Sequence, residues 1–197
     1  MQVKKDDIQN RILAVSEKLF IKNGYENTSL KMIAERSYIS KSNIYRYYKS
    51  KNEIYESLVG PARNEILKLM SFFFTEDFKG KYTPDKCEEI SSVLAKVFCG
   101  YRSGILIALR SGEGTDRKMI EQHIIGKFIE VCPIEDDDAK VLISKILIYG
   151  ITDILLKYSD ENSIKKELNL LIYYHYLGLN GLKDKLGVEC RSTDRRK

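Results

Sequence analysis

The chain has 197 residues, 43% of them apolar, which is ample for a buried core in one large domain or two small ones. Its four cysteines, Cys87, Cys99, Cys132 and Cys190, are scattered without a CxxC pair, and the histidines, His123 and His175, lie far apart, so neither a zinc site nor a disulfide framework is suggested. The net charge of +5 is mild but uneven: residues 1–60 hold 11 basic and 7 acidic residues, and from Thr28 to Lys51 six cations stand against Glu35 alone.

Apolar residues recur at spacings of three and four throughout, and no alternating strand pattern of useful length occurs, so an all-α protein is expected. A first helix is predicted to start after Asp6 or Asp7, with Ile8, Ile12, Val15, Leu19 and Phe20 on one face, and to stop at Asn23-Gly24. Thr28 or Ser29 can cap a short second helix with Leu30, Ile33 and Ala34 inward. Ser40 can cap a third, with Ile44 and Tyr47 or Tyr48 inward and Lys41, Ser42, Asn43, Tyr45 and Arg46 outward. Two short helices joined by a tight turn that carries an inward Ile39 describe a helix-turn-helix. A fourth helix should open at Ser50-x-x-Glu53, a capping box, and then bend or break near Gly60-Pro61, or end at Val59 with Pro61 starting another.

Beyond Pro84, amphipathic segments cover Pro84–Ser111, with a break near Arg102, and Asp116–Val131. Two long apolar helices follow over Asp138–Tyr158 and Ser163–Leu186. The tail Arg191–Lys197 reads as disordered. No signal-like leader is present, and the apolar run Val141–Leu156 is interrupted by Lys145 and Asp153, so a cytoplasmic protein without membrane contact is expected.

A helix lying in the major groove needs short polar side chains at its start for base edges, and hydroxyls and cations at its flanks for phosphates. Ser42 and Asn43 suit the first task; Lys41, Tyr45, Tyr47 and Lys49 suit the second. The Asn43 amide has two possible uses, pairing with adenine or capping its own helix. Lys51 opens the fourth helix, where the macrodipole penalises a cation, so its presence is better explained by an external anion, a DNA phosphate that would also take hydrogen bonds from the free N–H groups.

The run LFIKNGYENTSLKMIAERSYISKSNIYRYYKSKNEIY, from Leu19 to Tyr55, resembles the DNA-binding domain of the TetR family of bacterial transcriptional regulators. In that resemblance Leu19-Phe20 and Gly24-Tyr25 match the end of the first helix and its turn, Thr28 a capping position that touches DNA, Ile33-Ala34 the core pair and Ser40 the recognition-helix cap. Tyr45 and Lys51 fall on phosphate-gripping positions, and Tyr47-Tyr48 on the closing aromatic pair. The DNA-binding set is then Thr28, Lys41, Ser42, Asn43, Tyr45, Arg46, Tyr47, Lys49 and Lys51. Where the family has glycine in the turn this chain has Tyr38, and a bulky residue at positive φ is strained by roughly 1–2 kcal/mol, so a differently built turn is expected.

The resemblance implies a helix-turn-helix head over 1–50, a ligand-binding and dimerisation domain over 51–188, and a basic tail over 189–197. It also implies operator DNA as partner and a long fourth helix that passes ligand-driven movement to the DNA-binding head, so the break at Gly60-Pro61, a departure from the family, is expected to serve as hinge. For the second domain, Phe72, Phe73, Phe98, Tyr101, Phe128 and Tyr149, with Arg102, are equally consistent with core packing and with a pocket for a largely apolar small molecule. The two long C-terminal helices carry more apolar surface than a small bundle can bury, so a homodimer is expected with Ile148, Leu155, Leu171 and Tyr174 at its interface.

Ser163-x-x-Lys166 has the letters of a nucleophile motif, but a serine before an amphipathic run is more simply a helix cap. No acid and base pair is recognisable, and Asp136-Asp137-Asp138 reads as the opening of a helix. The expectation is a ligand-responsive DNA-binding regulator, a repressor released by a small molecule, with no enzymatic activity, cofactor or metal. A constitutive or architectural DNA binder is the nearest rival, and a helical enzyme the more distant one.

Overall fold

A computed structural model of the chain describes residues 2–73, 83–110, 115–131, 134 and 136–186. Nine helices occur among them: α1 (Gln2–Asn23), α2 (Leu30–Arg36), α3 (Lys41–Ile44), α4 (Lys51–Phe73), α5 (Pro84–Gly100), α6 (Arg102–Arg110), α7 (Thr115–Val131), α8 (Asp137–Lys157) and α9 (Glu161–Leu186). They group into two units, Met1–Leu69 with Val97–Ile120 and Met70–Lys96 with Glu121–Lys197. The expected basic tail lies outside the described residues.

In the first unit α1 begins earlier than Asp6, because Gln2 to Lys5 contains nothing that breaks a helix. It ends where expected: Gly24 takes φ 82° and its N–H still reaches the Phe20 carbonyl at 2.9 Å. Ile12, Leu19 and Phe20 are fully buried, Ile33, Ala34 and Ile44 of the next two helices are buried as expected, and Leu30, also expected inward, is half-buried.

The fourth helix departs from expectation. It runs unbroken through Gly60-Pro61 to Phe73. Proline in a helix interior costs about 3 kcal/mol through its missing N–H and its ring. Against this, Ile54, Tyr55, Val59, Ala62 and Ile66 on the same helix are all buried, and burying the four larger side chains contributes roughly 1.5–3 kcal/mol each. Packing therefore outweighs the local penalty, and Pro61 itself faces solvent.

Two devices tie α4 to its neighbours. A side chain at Gly104 of α6 would put its Cβ 2.5 Å from the Leu58 carbonyl oxygen and 2.7 Å from the Ala62 Cβ, so only glycine allows this backbone approach. Arg63 donates through Nε and Nη2 to Asp116 at the start of α7, at 2.6 and 2.8 Å, and through Nη1 and Nη2 to Glu56, both at 3.1 Å. Hydrogen bonds to Asp116 and then Glu56 hold the guanidinium firmly protonated, its pKa raised above the ordinary arginine value. Ser103 of α6 also donates to Glu17 of α1, at 2.6 Å.

In the second unit α8 and α9 pack together across a short turn. Asp136 caps α8 by accepting from the Ala139 N–H at 3.0 Å, as the acidic run suggested. The cap of α9 is Asp160, accepting from the Ser163 N–H at 2.8 Å, and not Ser163, because the helix starts one turn earlier than its apolar pattern. These hydrogen bonds from the first turn hold the Asp160 carboxyl below its ordinary pKa.

Candidate nucleic-acid interface

The turn between α2 and α3 decides how the recognition helix is presented. Ser37 ends α2, Tyr38 follows with φ 53°, the Tyr38 N–H reaches the Glu35 carbonyl at 3.2 Å and the Ile39 N–H reaches Ala34 at 3.1 Å. These two bonds and the left-handed residue are the Schellman ending of a helix. The turn is thus built as glycine would build it, with tyrosine in the left-handed position, and a different construction is not used. The side chain of Tyr38 is 88% exposed.

Ser40 caps α3 by accepting from the Asn43 N–H at 3.2 Å, so Asn43 is not needed as a cap. The regular helix is only Lys41–Ile44, and turns continue it to Tyr48, whose N–H reaches the Ile44 carbonyl at 3.0 Å. Ile44 and Tyr48 are buried and anchor it. Lys41, Ser42, Tyr45, Arg46 and Lys49 are exposed, while Asn43 and Tyr47 are half-buried. The expected polar and cationic side chains therefore share one short capped segment held down by two apolar ones.

Two members of the expected DNA-binding set are placed otherwise. Thr28 is buried; its hydroxyl donates to the Gly24 carbonyl at 2.8 Å, and Ser29 is the cap of α2, accepting from the Met32 N–H at 3.2 Å. Lys51 is half-buried and points its ammonium inward: Nζ donates to the carbonyls of Tyr25 at 2.8 Å and Thr28 at 2.9 Å, and lies 4.0 Å from the centre of the Tyr25 ring. Burial lowers the Lys51 pKa, with Glu26 opposing, and raises that of Tyr25. Nothing in the residue types flags this seat, since its acceptors are backbone carbonyls 23 and 26 residues away. The capping box behind it forms in part: the Ser50 hydroxyl accepts from the Glu53 N–H at 3.1 Å, and Glu53 reaches back one residue further than expected, to the Lys49 N–H.

Residues 12–58 match the bacterial regulatory proteins of the tetR family. The N-terminal head belongs to the TetR family. Over 49 residues, a quarter of this chain (25%), the TetR head is 39% identical to the HTH-type transcriptional regulator QacR of Staphylococcus aureus, and the match spans 26% of that relative's length. The wider helical architecture is similar to that of a TetR-family regulator from Bordetella parapertussis, with a TM-score of 0.58, 16% identity, and 87% of this chain and 96% of that one covered. It is similar too to SCO3833 of Streptomyces coelicolor, with a TM-score of 0.56, 18% identity, and coverage of 82% and 88%. At such identities the likeness outside the TetR head is one of fold.

The expected pocket and interface residues are dispersed. Phe98 is buried in the first unit, where Tyr101 is exposed, and the side chains of Phe72, Phe73 and Phe128 lie outside the described residues. Tyr149 is exposed on α8 beside Leu142 and Ile146. Ile148 and Leu155 are 4% and 0% exposed, so they face their own unit's core and not a partner; Leu171 packs on Gly150, and only Tyr174, 68% exposed, points outward. A cavity of about 300 Å³ on α9 is lined by Lys166, Glu167, Asn169, Leu170 and Tyr173, and none of the expected pocket residues contributes to it.

Proposed function

We propose that the chain is a homodimeric, cytoplasmic regulator that grips operator DNA with its TetR head and releases it when a small, largely apolar molecule binds the helical domain after residue 50. The observation that carries this reading is the recognition segment itself: Lys41, Ser42, Tyr45, Arg46 and Lys49 exposed on a helix capped by Ser40 and anchored by Ile44 and Tyr48. Ser42 and Asn43 stand at the start of that helix, where base edges come within reach; Lys41, Arg46, Lys49 and the hydroxyls of Tyr45 and Tyr47 stand where phosphates flank it.

A single short recognition helix binds weakly, and a two-fold pair spaced about 34 Å apart reads two half-sites. The outward apolar residues of α8 and α9 support such a pairing. The test is protection of the DNA upstream of the chain's own gene by purified protein, read with and without cell extract. Protection of two half-sites that extract abolishes is the expected result; protection that no extract or small-molecule library alters, with no thermal shift on any compound, would favour a constitutive DNA binder.

A further inference from the structure

Tyr38 is the most exposed large hydrophobic side chain among the described residues, and it stands where the backbone suits it least. With φ 53° it holds the left-handed conformation, which a Cβ disfavours and glycine adopts freely. Packing does not offset that strain, because the side chain is 88% exposed and makes no hydrogen bond, ion pair or ring contact among the described residues. Strain kept without an internal contact to offset it points to a partner outside the chain.

The place of the turn says which partner. Tyr38 comes two residues before Ser40, the cap of α3, so its Cα lies within ~7 Å of the start of the recognition segment. Exposed cations flank it in sequence, Arg36 at the end of α2 and Lys41 at the start of α3, and the nearest acid in sequence, Glu35, lies 3.9 Å from Lys31. A ring that ends in a hydroxyl, set in positive potential beside a recognition helix, suits the edge of a duplex, where tyrosine hydroxyls donate to phosphate oxygens. Tyr38 precedes the cap and stands outside the helix that enters the groove, so base edges are left to Ser42 and Asn43.

We infer that Tyr38 is a further DNA contact, its phenol hydroxyl donating to a phosphate of the strand that flanks the recognition segment. This rests on the DNA-binding reading above.

Salt dependence marks such a contact, because each neutralised phosphate adds about 0.9 to the slope of log affinity against log salt and a phenol neutralises none. Wild-type, Tyr38→Phe and Tyr38→Gly chains are titrated with duplex DNA of random sequence over a range of salt, well below the melting temperature of each. Phenylalanine keeps the ring, the Cβ and the backbone strain and removes only the hydroxyl. The expected Tyr38→Phe line is parallel to wild type and weaker by about tenfold, the scale of one lost hydrogen bond to a charged group. Tyr38→Gly should bind at least as weakly, since relief of the backbone does not replace the contact. A Tyr38→Phe line that coincides with wild type overturns the inference, and so does a shallower one, which would make the ring a support for neighbouring cations. The chain has no tryptophan, so Tyr38→Trp places a single indole at the turn. Saturating duplex should shield that indole from acrylamide; an indole equally open with and without duplex refutes the contact and leaves the ring to a protein partner. A wild-type chain that binds no duplex rejects the DNA-binding reading, whereas wild-type binding with an unaltered Tyr38→Phe line rejects this inference alone.

Discussion

The two units differ in what they leave uncovered. In the first, the large hydrophobic side chains that stay exposed among the described residues are Tyr38, Tyr45 and Tyr101, each with a hydroxyl. In the second they include Leu142, Ile146, Leu156, Leu170, Leu177 and Leu182, with Tyr149 and Tyr174 among them. Tyrosine offers a ring and a hydrogen-bonding tip together, which suits a wet, anionic partner; a leucine and isoleucine stripe has no use for water. On α8 the buried Lys140, Ser144, Ile148 and Leu155 lie on one side and Leu142, Ile146, Tyr149 and Leu156 on the opposite one, as the 3.6-residue repeat requires. On the proposed function the exposed tyrosines of the head suit a polyanion and the leucine and isoleucine stripe suits a second copy of the chain.

The contrast breaks most severely at neighbouring positions of α8 and α9. Ile148→Asp places an unpaired charge among the core residues, a loss of about 4 kcal/mol, and should unfold the second unit. Leu170→Glu, on the outward stripe, should leave the melting temperature of the monomer intact while sedimentation shows dissociation. A Leu170→Glu chain that stays dimeric, or an Ile148→Asp chain that merely dissociates, would reverse the two assignments.

The first unit has its own sensitive point at the crossing of α4 and α6. Gly104→Ala sets a Cβ 2.5 Å from a backbone oxygen that no rotamer change can move aside, so the helices must separate, at a cost of about 3 kcal/mol. Gly60→Ala adds a methyl whose nearest contact beyond its chain neighbours is the flexible Glu56 side chain at 3.8 Å, but it also sets a Cβ before Pro61 in a helical conformation that proline disfavours, which offsets the gain of about 0.5–1 kcal/mol from relieving a helix glycine and leaves little net change. Denaturant unfolding should therefore show a large loss for Gly104→Ala and little change for Gly60→Ala. Equal losses would mean that Gly104 is not where α4 and α6 approach most closely.

Much of the head was legible because its signals are local. Ser40, the Asn23-Gly24 stop and the inward Ile33, Ala34 and Ile44 each need only their own helix to be understood. What escaped depends on partners distant in sequence. Gly104 carries no signal of its own until α4 is beside it, and nothing in the sequence announces the two carbonyls of a remote loop that the Lys51 ammonium reaches. Pro61 reads as a break because local cost is visible and the burial that offsets it is not. On α8 apolar residues occupy both sides, so periodicity alone could not say whether Ile148 or Tyr149 faces out.

The smallest effect concerns Tyr38, where the head keeps a tyrosine in a conformation glycine would adopt freely. A left-handed residue with a Cβ is disfavoured by roughly 1–2 kcal/mol, so Tyr38→Gly should relieve that strain. Glycine also gives the unfolded chain more freedom, an opposing loss of about 0.5–1 kcal/mol, so the net gain is about 1 kcal/mol or less. Tyr38→Ala is the control. Alanine keeps the Cβ and therefore the strain, and because the tyrosine ring is 88% exposed its removal forfeits little packing. Thermal unfolding should thus rank Tyr38→Gly above both wild type and Tyr38→Ala, with the last two close together. If alanine matches glycine, the strain is not in the backbone. If both fall below wild type, the ring packs on the surface more than its exposure suggests, and the tyrosine is held for stability. A glycine variant that gains stability and loses affinity for duplex DNA would instead place the Tyr38 ring with Tyr45 on the face that meets the polyanion.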